Sequence, residues 1–167
     1  MVKQILLPLA AVALFVILVG LLTQKSSSLN WSKYLPGAGG VQEKTIIVGN
    51  KIVQVEIANT ETLREKGLSG RTSLPTDSGM LFVFDSKKVN PIFWMKSMLI
   101  PLDMIWISDG KIVNINKNIP VPPTNTPDDK LSKFSVNQPI DYVLEVNAGF
   151  ADSNGIKVGN SVDLSKI

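Results

Sequence analysis

The chain has 167 residues, no cysteine, no histidine and a formal net charge of +3 at pH 7. These counts exclude disulfides, thiolate and histidine catalysis, Ser-His-Asp triads and the usual zinc or copper sites, so we expect no metal and no cofactor. Any catalysis would have to use carboxylates, lysine, a Ser/Lys pair or an oxygen-bound ion. Without Lys3 and Lys25, the 17 basic residues become 15 against 14 acidic ones, a balance that predicts no nucleic-acid partner.

The N-terminus carries an uncharged apolar run from Ile5 to Leu22. As a helix this run would extend about 27 Å, close to the roughly 30 Å hydrocarbon core of a bilayer. It therefore predicts a single-pass transmembrane anchor at residues 1–25, with the remainder on the extracytoplasmic side of the cell membrane. A cleaved secretory signal is the alternative, but it needs a shorter run and a small-x-small site that TQKSSSLN does not supply. Lys25 and Lys33 follow the run and weaken the charge argument for this orientation.

A flexible Ser- and Gly-rich linker is predicted at residues 26–42, because SSSLNWSKYLPGAGG has no periodicity. Trp31 and Tyr34 fit either the membrane interface or an ordinary linker. Residues 43–167 form the predicted extracytoplasmic domain, in which strand patterns dominate.

The domain begins with a predicted hairpin, in which TIIV and KIVQVEI flank Gly49-Asn50. Alternation places Val53, Val55 and Ile57 on its buried face. One short helix follows, with Thr62 and Glu65 at the spacing of a capping box and Gly67 at its end.

Further strands are predicted at Met80–Phe84, which is apolar on both faces, at Ile92–Met98 and at DYVLEV. MIWIS, Asp109-Gly110 and KIVNIN predict a second hairpin. Counting outward from its turn gives the following predicted pairs: Ile107 with Ile112, Ile105 with Asn114, Asp103 with Asn116, and, on the expected core face, Trp106 with Val113 and Met104 with Ile115. The proline-rich segment Asn118–Lys133 is expected to be neither helix nor central strand.

Two charges inside the apolar stretch Phe93–Trp106 raise the question of a site, because a buried charge needs a partner or a function. On a strand, Trp94, Lys96 and Met98 would share one face. Lys96 then has three interpretations. In the first, the stem of Lys96 covers Trp94 while the ammonium group reaches water. In the second, Lys96 forms an ion pair with Asp103, Asp85 or Glu145. In the third, Lys96 binds an anionic or carbonyl group in a pocket walled by Trp94.

The evidence for other candidate site residues is weaker. Ser97 would face away from Lys96, which argues against a Ser/Lys nucleophile pair. Arg64 and Arg71 are the only arginines, and they form either an anion clamp or ordinary surface charges. The remaining carboxylates show no metal-loop spacing, and Asp128-Asp129 is expected to be a solvated pair.

Several motifs together resemble one family. They are Arg64 with Gly67 and Leu68, Arg71, GMLFVF, FWMK followed by LIPLD, DGKIV, YVLEVNAG and Gly159. The run Thr60–Val162 resembles the domain of unknown function 192. The resemblance implies a compact, mainly β fold of barrel or jelly-roll-like sandwich type, frequent export or membrane anchoring, and no established reaction.

This sequence departs from the family pattern at four positions. Leu63 stands where the family usually has an acid, Ser69 where it has Met, and Ser97-Met98 where it favours Asn-Thr. If these positions line a site, its chemistry here is altered or lost.

We therefore predict a mainly β, membrane-anchored binding module for a small anionic ligand or a cell-envelope component, with binding favoured over catalysis. The expected site residues are Trp94, Lys96, Asp103, Arg64 and Arg71. One alternative is a hydrolase or lyase that uses Lys96 and Asp103. Another is a scaffold that docks an envelope protein through a sheet edge or the proline-rich segment.

Overall fold

The computed structural model describes residues 42–167. The predicted anchor at residues 1–25 and all but the last residue of the predicted linker at residues 26–42 lie outside this range. Within it, no helix has the length and apolar character needed to cross a bilayer.

Nine strands and two short helices make up the described chain. In chain order they are β1 (Glu43–Val48), β2 (Lys51–Ala58), α1 (Glu61–Lys66), β3 (Ser78–Val83), β4 (Phe93–Trp94), β5 (Leu102–Ser108), β6 (Lys111–Ile119), β7 (Lys133–Phe134), β8 (Tyr142–Asn147), α2 (Phe150–Ser153) and β9 (Val162–Asp163). A 3-10 turn covers Asp128–Lys130.

Seven strands form one sheet in the order β6-β5-β8-β3-β2-β1-β9, and β4 pairs with β7 in a separate two-stranded sheet. Among the described strands, only β2 and β3 pair in parallel, with α1 in the connection between them. The chain before β9 returns to the start of β6, where Ile112 N donates to Asn160 O at 2.9 Å and Gly159 N donates to Ile112 O at 2.8 Å. These bonds bring the two ends of the sheet together, so the expected mainly β fold is a nearly closed barrel.

Two apolar clusters cover the two faces of the central strands. The interior cluster fills the barrel with side chains from all seven strands of the large sheet and from α2. The outer cluster packs the segments after α1 and around β4 against β3, β5 and β8. All seven residues of β5 are buried, which requires cover on both faces.

The first hairpin and the end of the helix confirm the sequence prediction. Val48 pairs with Lys51 across Gly49-Asn50, and Gly67 ends α1 with φ 48°. The predicted helix start was wrong. Thr60, not Thr62, caps α1, because its extended backbone lets Oγ1 accept from Leu63 N at 3.2 Å.

The register of the second hairpin also needs correction. Ile107 pairs with Ile112 as predicted, but a β-bulge then shifts the partners, so that Trp106 faces Asn114 and Ile105 faces Ile115. One extra residue in one strand moves every later pair, which simple counting cannot anticipate. The predicted single core face is incomplete, because Ile105 and Ile107 are as buried as Trp106 and Met104.

The predicted strand Ile92–Met98 is mostly a turn. Only Phe93–Trp94 is strand, and Met98 N donates to Met95 O at 3.3 Å where the chain reverses at Ser97, φ 55°. The proline-rich segment confirms its prediction between β6 and β7, where the 3-10 turn is its one helical element.

Candidate functional site

A cavity of about 460 Å³ opens between α1 and the segment that contains β4. Its buried lining comes from the outer cluster and from one acid: Leu68, Phe82, Met98 and Glu145. Its exposed rim includes Trp94 and Lys96, and Arg64 lies half-buried beside it. The lining residues come from α1, β3, the β4 segment and β8, which are distant in sequence, so the cavity forms only when the chain folds.

Glu145 is the polar group at the floor of this cavity. It lies on β8 between the cross-strand neighbours Met80 and Met104, and its residue is 5% exposed. Among residues 42–167 its carboxyl group has no hydrogen bond or ion pair. Burial raises the pKa of Glu145 to about 8, because the charged form loses its hydration. At pH 7 the group is a neutral acid that faces the cavity.

Aromatic rings form the walls. The ring centroids of Phe82 and Phe93 are 4.9 Å apart, and those of Phe93 and Trp106 are 5.6 Å apart, both edge to face. Trp106 Nε1 donates to Asn116 Oδ1 at 2.7 Å, so its polar end is satisfied behind the wall. Trp94 is 47% exposed at the entrance. The walls offer apolar surface and ring faces to a bound molecule.

Arg64 is held at the rim by groups next to the cavity. Its Nη1 donates to Val83 O at 2.9 Å and its Nη2 donates to Asp85 Oδ2 at 3.2 Å. Its guanidinium also lies 5.9 Å from the centroid of the Phe84 ring. Arg64 thus closes one side of the cavity with its charge already paired.

Lys96 pairs with Asp128 in the 3-10 turn, and its side chain is 51% exposed. An ion pair is one of the three interpretations of Lys96, but its partner is Asp128 and not Asp103, Asp85 or Glu145. The pair joins the β4 segment to the proline-rich segment, and no local sequence pattern predicts that these two segments are neighbours.

The neighbouring backbone is also fixed, because Ser69 Oγ donates to Lys96 O and Gly70 N donates to Ser97 O, both at 2.9 Å. Ser69 and Ser97, two positions that depart from the family pattern, each take part in one of these two adjacent hydrogen bonds. The loop after α1 is thereby pinned to the turn that carries Lys96.

Asp103 and Arg71 do not line the cavity. Asp103 is fully buried and accepts from Asn118 N at 2.7 Å, Gly149 N at 3.1 Å and Ala151 N at 2.8 Å. Arg71 forms a two-pronged pair with Glu56, in which Nη2 and Oε2 are 2.6 Å apart, and this hydrogen bonding raises the pKa of Arg71. Of the five predicted site residues, the structure brings together Trp94, Lys96 and Arg64.

A Ser/Lys contact does exist elsewhere, between Lys88 and Ser108. Lys88 Nζ donates to Ser108 Oγ at 2.7 Å and lies 2.6 Å from Asp109 Oδ2 and 3.4 Å from Asp141 Oδ2. The hydrogen bond to Asp109 raises the pKa of Lys88. A lysine that stays charged cannot take a proton from serine, which argues against a Ser/Lys nucleophile pair at this contact.

The family model of the domain of unknown function 192, described as an uncharacterized ACR, matches residues 44–164. The chain belongs to this family. Two solved structures resemble the DUF192 domain. One, from Sinorhizobium meliloti 1021, is provisionally named a transcription regulator; it is 30% identical, with a TM-score of 0.64, covering 74% of this chain and 94% of that one.

The second structure is a protein of unknown function from Novosphingobium aromaticivorans DSM 12444. It is 27% identical, with a TM-score of 0.66, and the match covers 83% of this chain and 99% of that one. No curated protein matches the sequence.

The sequence did not single out Glu145 of this DUF192 domain as a candidate site residue. It suggested Glu145 only as a possible ion-pair partner for Lys96. The sequence contains one signal that could have identified it. Glu145 is the single acid in YVLEV, and the structure buries the other central residues of this strand on both faces. A carboxylate in such a strand must be paired, protonated or exposed to a cavity.

The position of Lys96 predicts a small stability effect for Lys96→Met. The variant should change the free energy of unfolding by less than about 1 kcal/mol, because an ion pair between exposed side chains contributes little. Urea denaturation measures this, with Asp128→Asn as the matched change at the other end of the pair. A loss of about 3 kcal/mol or more would indicate that Lys96 stabilises a buried pair instead.

Proposed function

We propose that this DUF192 domain is a binding module for a small, partly apolar molecule that enters the cavity and places a polar group against Glu145. The observation that carries the proposal is Glu145, a buried acid without a partner among residues 42–167, whose carboxyl oxygens reach the floor of an aromatic cavity. Burying such a group without a partner costs stability. Groups of this kind concentrate at binding and catalytic sites, where a ligand completes their interactions.

This ligand class departs from the anionic one expected from the sequence. Arg64, Arg71 and Lys96 are each paired with a carboxylate of the protein, so an incoming anion would have to compete for them. The hydrolase or lyase alternative also loses support, because Asp103 is held by backbone donors away from Lys96. Among the buried residues of the lining, Glu145 is the ionisable group that has no partner within residues 42–167.

We also propose that the run Ile5–Leu22 tethers the domain to the extracytoplasmic face of the cell membrane. The support is the length of the uncharged run, which matches the hydrocarbon core. Alkaline carbonate extraction of membranes tests the tether, and protease added to intact cells tests the side. Release of the full-length chain into the soluble fraction would contradict the tether, and protection from the protease would contradict the location.

A fragment screen by thermal unfolding tests the binding function. Compounds that bind the folded state raise its melting temperature. We expect hits on the wild type to bind at least about tenfold more weakly to Glu145→Met, since that variant keeps the approximate volume and loses every hydrogen bond at the floor.

The matched control is Glu43→Gln, which alters an exposed acid on β1 and should leave the shifts unchanged. Hits that stabilise Glu145→Met as much as the wild type would contradict a role for Glu145. A library that produces no hit would contradict the binding function itself.

A further inference from the structure

We propose that the ligand of the cavity carries a protonated amine, which forms an ion pair with the carboxylate of Glu145 beneath the aromatic walls. This inference rests on the binding function proposed above and names its ligand class. It follows from the charges that line the cavity, from the chemistry of its walls and from the proton that Glu145 holds in the free protein.

The charged side chains of the lining balance without Glu145. They are Arg64, Lys66 and Lys96 on the positive side and Glu61, Glu65 and Asp85 on the negative side. Two of the three cations are also engaged, Arg64 by Asp85 and Lys96 by Asp128. Ionised Glu145 would add one uncompensated negative charge, which a single ammonium group neutralises and a bound anion would make worse.

The walls favour the same ligand. Phe82, Phe93 and Trp94 present ring faces or edges to the cavity, and an ammonium group over an aromatic face gains a cation–π attraction that increases when water is excluded. Below the rings, Glu145 lies between the thioether side chains of Met80 and Met104, which offer no donor that could compete for its carboxylate. The floor therefore has one strong acceptor in an apolar surround, the arrangement that an amine completes.

Binding must then move a proton. Before binding, burial holds the pKa of Glu145 at about 8, so at pH 7 its carboxyl group is protonated. An alkylammonium ion that pairs with Glu145 displaces this proton to solvent, leaving a carboxylate and an ammonium in contact. One proton is released for each ligand bound at pH 7, and the affinity should fall about tenfold per pH unit below the pKa of Glu145.

The test compares benzylamine with its neutral and anionic counterparts, benzyl alcohol and benzoate, on the full-length protein. We expect benzylamine at pH 8 to bind at least about tenfold more tightly than benzyl alcohol, because one charge-assisted hydrogen bond provides such a factor. NMR shifts at Trp94 and Phe82 locate the binding. Calorimetry at pH 7 in two buffers of different ionisation enthalpy should report the release of about one proton.

Two variants separate the floor of the cavity from the rest of the protein surface. Glu145→Gln keeps the size and a hydrogen-bond donor but cannot ionise, so it should bind benzylamine and benzyl alcohol alike. Glu43→Gln removes an exposed acid on β1, outside the cavity, and should retain the preference for the amine.

The possible failures are distinguishable. Equal binding of amine and alcohol to the wild type, a preference for benzoate, or no binding of any of the three would overturn the amine inference. The proposed binding function would fall only if the wider fragment library also produced no hit.

Discussion

Replacing Asp103 with alanine is expected to lower the free energy of unfolding by about 3 kcal/mol or more. The carboxylate is fully buried and accepts hydrogen bonds from Asn118 N, Gly149 N and Ala151 N. Alanine leaves these three donors in the interior without an acceptor, and each buried, unsatisfied donor costs about 1–3 kcal/mol before relaxation. The bonds join β5 to the end of β6 and to the turn that begins α2, so the loss affects three elements at once.

Urea denaturation of Asp103→Ala and Asp152→Ala measures this effect against a matched control. Asp152 lies on α2, but its side chain is 60% exposed in an ion pair with Lys117. Its removal should cost less than about 1 kcal/mol, as for other exposed pairs. Equal, small losses in the two variants would mean that Asp103 is not the structural acceptor described here, and would return it to the list of ligand-binding candidates.

Stability should fall with rising pH in a way that depends on Glu145. The pKa of Glu145 is about 8 in the folded protein and 4.5 as the reference value for an unfolded chain. Between these values the folded state holds a proton that the unfolded state has lost, so unfolding becomes easier as pH rises. The slope is about 1.4 kcal/mol per pH unit. The contribution is fully present below pH 4.5 and is lost as pH passes through about 8.

Glu145→Gln removes the pH-dependent contribution of this residue to the free energy of unfolding, because the amide cannot ionise. Relative to the wild type, the variant should gain a few kcal/mol in its free energy of unfolding between about pH 5 and pH 8. Glu43→Gln, at an exposed position on β1, should instead follow the wild type across the range. Parallel pH profiles for Glu145→Gln and the wild type would show that Glu145 is not buried as a neutral acid.

Local sequence patterns predicted the local parts of the fold. Gly49-Asn50 and Asp109-Gly110 each connect two strands, and the alternation in β2 places Val53, Val55 and Ile57 in the barrel. These features depend on neighbours in sequence. The bulge in the second hairpin shifts the register between Trp106 and Ile107, and the alternation of MIWIS and KIVNIN gives no sign of it.

The candidate site could be predicted only in part for the same reason. Trp94 and Lys96 attract notice because a charge interrupts an apolar stretch, and both line the cavity. Asp103 attracts notice by the same rule, yet its partners at Gly149 and Ala151 lie 46 and 48 residues away along the chain. In the sequence, Glu145 is simply one acid in a strand, and only the fold places it in the same cavity as α1. Sequence patterns locate unusual residues, and topology decides whether those residues meet a ligand or the backbone.

A carbon-13 NMR titration of the Glu145 side-chain carboxyl group in the full-length protein tests the central claim most directly. The assignment comes from the loss of the signal in Glu145→Gln. A midpoint near pH 8 is the result that a buried acid without a partner predicts, and benzylamine should then lower this midpoint. A midpoint near the ordinary glutamate value of 4.5 would mean that Glu145 is hydrated or already paired, and the cavity would lose the group on which its proposed function depends.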